Sequence, residues 1–153
     1  MITIRSVALR DLGEIIRIEE ECFPNPWPKS TFLMLAIRGG SMEDKAGYVT
    51  MVVCQYNDRI VGYAVWEYEK KTRAGHLLNI AVTRECQRHG LGSLMANYVL
   101  TNLRESSAKG CRLEVRESNH TARSLYEKLG MHSVGRSPNY YETEDALIYE
   151  IAF

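Results

Sequence analysis

The hydrophobic positions change period several times along the chain. Ile2, Ile4 and Val7 are spaced as in a first strand over Ile2 to Val7. From Asp11 to Cys22 the period becomes helical, with Leu12, Ile15, Ile16 and Cys22 on one face and Asp11 near the positive end of the dipole. Phe23-Pro24-Asn25-Pro26-Trp27-Pro28 must break that helix, because proline removes a backbone donor and restricts the residue before it. A short helix over Ser30 to Arg38 follows and stops at Gly39-Gly40. Ser41 to Lys45 reads as a loop.

Two β-rich runs, Tyr48 to Tyr56 and Ile60 to Tyr68, flank Asn57-Asp58-Arg59 and predict a hairpin. Gly75 to Val82 is nearly all apolar, as expected of a central strand covered on both faces. Leu91, Leu94, Met95, Tyr98, Val99 and Leu103 then recur at helical spacing. Cys111 to Glu117 alternates as a strand. Ala122, Leu125, Tyr126 and Leu129 mark a last helix that ends at Gly130. Met131 to Gly135 and Ala146 to Ile151 close the chain as strands. The order is β α α β β β α β α β β. Within it, Gly75 to Glu117 is a strand–helix–strand unit, so its strands should be parallel with a right-handed crossover.

Composition narrows the function classes. The 153 residues suit one domain, and no linker or repeat suggests a second. Lys plus Arg number 19 and Asp plus Glu number 19, so no global field calls for nucleic acid or a membrane surface. No apolar stretch approaches the ~20 residues that span a bilayer. The start, Met1-Ile2-Thr3-Ile4-Arg5, lacks the charged-then-apolar layout of a signal peptide, so a cytoplasmic setting is expected. Cys22, Cys54, Cys86 and Cys111 are scattered, which argues against a zinc site or a dense disulfide framework. No metal is expected.

The most informative stretch is Gln87-Arg88-His89-Gly90-Leu91-Gly92, between the apolar strand and the next helix. Bare N–H groups at a helix start, together with the dipole, favour a phosphate. Two common nucleotide readings fail. The dinucleotide fingerprint requires glycine where Met95 stands, and a tight turn directly after the strand. The P-loop requires Lys-Ser/Thr after its last glycine, and Gly92 is followed by Ser93-Leu94.

Gln-x-x-Gly-x-Gly between a buried strand and an amphipathic helix resembles motif A of the GNAT acyltransferases. Leu113-Glu114-Val115-Arg116-x-Ser118-Asn119, then Ala122 and Leu125-Tyr126-Glu127-Lys128-Leu129-Gly130-Met131, resembles motif B of the same family. The tail Asn139-Tyr140-Tyr141 with Glu144-Asp145-Ala146, and Phe23-Pro24 followed by Trp27, are similar to the RimI-type and archaeal protein N-terminal acetyltransferases. The resemblance implies an α/β fold of the α+β kind, a mixed, mostly antiparallel sheet flanked by helices, with residues 1–153 forming one acetyltransferase domain. It implies acetyl-CoA as cosubstrate, a protein N-terminus as acceptor (a ribosomal protein among the candidates), and direct transfer in a ternary complex. Neither nucleic acid nor membrane enters, and the chain would be a monomer or homodimer. The enzyme alternative is a lysine or small-amine acceptor. The alternative of another class is a non-catalytic acetyl-CoA-binding module, which would need neither Glu114 nor Tyr126.

Acetyl transfer to an amine needs a base, an oxyanion donor and a proton for the leaving thiolate. Strand alternation places Arg112, Glu114 and Arg116 opposite Leu113 and Val115. On that polar face the residues alone allow a solvated Glu114 paired with arginines. The resemblance makes Glu114 the base, acting through a water, with His76 a second candidate. It makes Tyr126 the acid, although its stripe with Ala122 and Leu129 also suits a core tyrosine. It assigns the cofactor to Gln87, Arg88, His89, Gly90, Leu91, Gly92 and Ser93, to the backbone of Ile80, Ala81 and Val82, and to Asn119, which could equally be a plain helix cap. Phe23, Pro24, Tyr140 and Tyr141 would line the acceptor groove. Three prolines in Phe23 to Pro28 set this loop apart and would reset specificity.

Overall fold

The computed structural model describes all of residues 1–153, and its elements follow the periodicities closely. Strand β1 covers Ile2–Ser6, helix α1 Leu12–Cys22 after a short 3-10 turn, and α2 Lys29–Ile37. Strand β2 covers Ser41–Glu43, β3 Gly47–Tyr56, β4 Arg59–Glu69 and β5 Ala74–Val82. Helix α3 spans Leu91–Glu105, β6 Gly110–Arg116, α4 His120–Lys128, β7 His132–Ser137 and β8 Ala146–Ala152. No helix is long and apolar enough to cross a membrane.

All eight strands form one sheet in the order β1-β3-β4-β5-β6-β8-β7, with β2 added beside β3. The β3–β4 hairpin turns at Asn57 and Asp58, both at positive φ, the twist a two-residue hairpin needs. Alternation along β4 feeds two cores. Tyr63 and Val65 pack beneath α1 and α2 with Ile15, Ile18, Phe32 and Leu35. Ala64 and Trp66 pack on the other side, with Val99 and Leu103 of α3 and Tyr126 of α4. The fold is thus a mixed, mostly antiparallel sheet between two helical layers, as expected.

Three expectations are corrected. Ser41 to Lys45 is not all loop, because Ser41–Glu43 pairs antiparallel with Tyr48–Thr50 of β3. The apolar strand is covered on both faces only in part, since His76, Leu78, Asn79 and Ile80 are half-exposed. The helix before the prolines packs Leu12, Ile16 and Cys22 half-buried against the core as well as Ile15, but its fully buried positions also take in Ile18 and Glu19.

What positions the site is the parallel pair β5–β6. It holds over just three residue pairs, ending at His76 and Arg112. Beyond them the strands part. Val65 faces Asn79 while Trp66 faces Leu77, so Leu78 is an extra residue that bulges β5 at the point of parting. Strand β6 keeps its other edge on β8 throughout.

Candidate active site

Where β5 and β6 separate, a cleft of about 310 Å³ opens. Its floor comes from the parted strands, its sides from the Phe23–Pro28 loop and α4, and its rim from the segment carrying Tyr140 and Tyr141. Among the expected residues, Phe23, Pro24, His76, Ile80, Glu114, Asn119, Tyr126, Tyr140 and Tyr141 all line it. A larger groove of about 970 Å³ lies at the paired end of the same strands. It shares His76 with the cleft but contains neither Glu114 nor Tyr126, so the candidate base and acid meet only in the smaller space.

Glu114 projects from the polar face of β6, while Leu113 and Val115 are buried behind it, as the alternation demanded. Its Oε2 lies 2.6 Å from Nε2 of His76, and its Oε1 lies 3.9 Å from Nε of Arg112. On the far side of the ring, Nδ1 of His76 is 3.4 Å from Glu67. The two base candidates are therefore one hydrogen-bonded pair, and the arginine-paired surface carboxylate is a minor component. Burial works to raise the Glu114 carboxyl. The hydrogen bond and charge of His76, with help from Arg112, outweigh it and hold the group below its ordinary range.

Tyr126 is 7% exposed and packs edge-on to Tyr149, with centroids 6.4 Å apart. Its hydroxyl has no partner within the chain although it lines the cleft, and burial pushes its pKa up. A hydroxyl kept protonated in this way is equipped to donate. Asn119 caps α4, its Oδ1 accepting from the Ala122 N–H at 3.1 Å. Tyr141 donates to the Glu114 carbonyl at 3.2 Å, lies under the Arg116 guanidinium at 4.2 Å and meets Tyr140 edge-on at 4.8 Å. Burial pushes the Tyr141 phenol up to about 12.

The glycine-bearing turn stands at the start of α3. Gly90 is its N-cap at φ +81, and Arg88 also has positive φ. No backbone N–H from Arg88 to Ser93 finds an acceptor in the chain. These free donors at the positive end of a fifteen-residue helix fit a phosphate group. Gly92 packs against α4: a Cβ there would lie 2.8 Å from Cδ1 of Leu125 and push that methyl aside. Gln87 turns inward and donates to the Val82 carbonyl at 2.9 Å, an acceptor that the Cys22 thiol also approaches at 3.3 Å. Ala81 and Val82 bury their side chains, and the edge of β5 facing β6 is unpaired from Leu77 onward. Phosphate donors at one end and an open strand edge leading to the reactive groups suit the long arm of acetyl-CoA. The donor set thus fits the cosubstrate that the resemblance implies.

Trp27, part of the loop resemblance, lines the cleft as well, and so do residues unforeseen from sequence: Glu19, Cys22, Asn25, Leu77, Leu78, Asn79 and Arg116. Trp27 was visible as an aromatic among prolines, and Asn79 as a polar interruption of an apolar strand. Glu19 sits in the run Glu19-Glu20-Glu21 and gave no such signal.

Comparison with known proteins follows the same lines. The model of the acetyltransferase (GNAT) family matches residues 12–131. The ribosomal protein bS18-alanine N-acetyltransferase of Escherichia coli K12 is 31% identical over 152 residues, covering 97% of this chain and 95% of that protein. The crystal structure of the E. coli ribosomal-protein-S18-alanine N-acetyltransferase superposes with a TM-score of 0.83 at 29% identity, covering 99% of this chain and 94% of the other. Ard1 from Thermoplasma volcanium gives 0.84 at 25% identity, covering 99% and 97%.

Proposed function

This chain belongs to the GNAT acetyltransferase family, and from that premise we propose that it acetylates the α-amine of protein N-termini with acetyl-CoA, as one domain over residues 1–153. The observation that carries the reading is the meeting, in one cleft, of the Glu114–His76 pair and the partner-free hydroxyl of Tyr126. In this reading acetyl-CoA supplies the activated acetyl thioester. Free N–H groups of Arg88 to Ser93 hold its phosphates, and the unpaired edge of β5 orients the arm, placing the thioester between Glu114 and Tyr126.

Glu114, steadied by His76, takes the proton of the acceptor ammonium, directly or through one water. The freed amine adds to the thioester carbonyl, and as the C–S bond breaks Tyr126 gives its hydroxyl proton to the thiolate and recovers one from the nascent amide nitrogen, leaving one proton on Glu114. Phe23, Pro24, Tyr140 and Tyr141 flank the acceptor chain. The choice of amine follows from magnitudes. An α-amine has a pKa of about 8 and a lysine amine about 10.4, so at neutral pH lysine costs roughly 3 kcal/mol more to deprotonate. A carboxylate held below its usual range is a weak base, and it suits the more acidic ammonium. The bS18-alanine N-acetyltransferase relatives support an N-terminal acceptor, a ribosomal protein among the candidates, met in the cytoplasm.

A peptide panel differing only in the first residue tests the reading, with an N-blocked, lysine-containing peptide beside it. Free N-termini should be acetylated and the blocked peptide left unmodified. Equal activity on the blocked peptide overturns the α-amine assignment.

A further inference from the structure

Glu19 lines the cleft on α1, and nothing in the proton chemistry uses it. It is 2% exposed and forms no ion pair. A buried carboxylate without a counter-charge persists only where donors surround it. Three neutral donors do so here, each from a different element. Oε1 accepts from the Tyr63 hydroxyl of β4 and from Asn79 Nδ2 of β5, the latter at 2.9 Å. Oε2 accepts from the backbone N–H of Trp27 at 2.8 Å.

The loop at the acceptor side depends on this residue to an unusual degree. Between Phe23 and Pro28, three of the six positions are prolines with no N–H to offer. Of the three remaining donors, that of Phe23 goes to the Glu19 carbonyl at 3.0 Å and that of Trp27 to the Glu19 carboxylate. The third belongs to the exposed tip, Asn25. The near end of the loop thus continues the last turn of α1, and its far end hangs on the Glu19 carboxylate. The aromatic contacts run the same way: Trp27 stacks on Phe32, and Phe32 meets Tyr63 edge-on, each at 5.6 Å. At the other end of the network, Asn79 directly follows the bulged Leu78, where β5 leaves β6.

We propose that Glu19 is a positioning residue that latches the Phe23–Pro28 loop to β5 at its bulge, setting acceptor affinity and the choice of first residue. This rests on the reading of Phe23 and Pro24 as acceptor contacts. The latch fixes how far the loop stands from the open strand edge, and so the width available to the acceptor's first side chain.

Glu19→Gln keeps the size but turns one acceptor oxygen into an NH₂ that must face one of the three donors. The expected result is a peptide KM raised about tenfold or more, with the acetyl-CoA KM within about twofold of wild type. Discrimination between peptides starting with small and with large residues should narrow by a similar factor. Amide hydrogen exchange at Trp27, followed by NMR, should speed up alongside. Tyr63→Phe removes one donor and leaves the Trp27 bond in place, so it should move the same quantities less. If Glu19→Gln fails to fold, Tyr63→Phe and Asn79→Ala carry the test. Unchanged exchange at Trp27 overturns the latch, and so does faster exchange with unaltered peptide KM and first-residue preference. If the wild-type chain acetylates no peptide N-terminus, the functional reading falls while the exchange at Trp27 still decides the latch.

Discussion

Two glutamates face the same cleft from opposite walls, and they differ in everything except chemistry. Glu19 is locked among a phenol, an amide and a backbone N–H, all three donating to it. Glu114 is held by an imidazole and approached by a guanidinium, and its side chain keeps 15% of its surface open. Neutral donors satisfy one carboxylate completely; an imidazole and an open surface leave the other within reach of a ligand. The partners, as much as the burial, separate the proposed anchor from the proposed base.

The contrast breaks most visibly at Glu114→Gln. Turnover should fall by about a hundredfold or more, the usual worth of a positioned base, while acetyl-CoA affinity measured by calorimetry stays near wild type. Near-wild-type turnover would return Glu114 to an ordinary polar face. Glu19→Gln should act on stability instead: about 2 kcal/mol lost in urea denaturation, against well under 1 kcal/mol for Glu114→Gln. Equal losses would erase the distinction between anchor and base. Tyr126→Phe should lower kcat about tenfold with little change in either KM, since a buried phenol gives up one hydroxyl and no packing. The smallest effect is a shift in the pH profile. His76 holds the Glu114 carboxyl low, so His76→Gln should raise that pKa toward the ordinary value. Glu114 would then stay protonated to higher pH, and the acidic limb of kcat/KM should move upward with it. A limb that stays put would mean that His76 does not tune the base.

The same contrast explains what could be read from the sequence. The face that Glu114 takes was legible because a seven-residue alternating strand assigns faces without reference to the rest of the chain, whereas its role as base came only from the resemblance. The turn at Gly90 was legible because free N–H groups at a helix start are a local property. Glu19 was not, because its burial depends on Tyr63 and Asn79, which lie 44 and 60 residues away. In its own window it is the first of three consecutive glutamates and reads as solvated. Strand β2 was missed for a related reason. Ser41-Met42-Glu43 carries no β period of its own and becomes a strand only by pairing with β3. The pairing of His76 with Glu114 needed the register of β5 against β6, which places His76 opposite Arg112, two residues before Glu114.

The short register of that parallel pair also bears on how long the chain survives. Three paired residues leave the middle of an eight-stranded sheet incomplete along one edge. A ligand that occupies this edge binds the folded chain and not the unfolded one. Saturation at a hundredfold excess over Kd then adds about 2.7 kcal/mol to the folding free energy. Resistance to proteolysis in vitro should therefore rise with the concentration of acetyl donor.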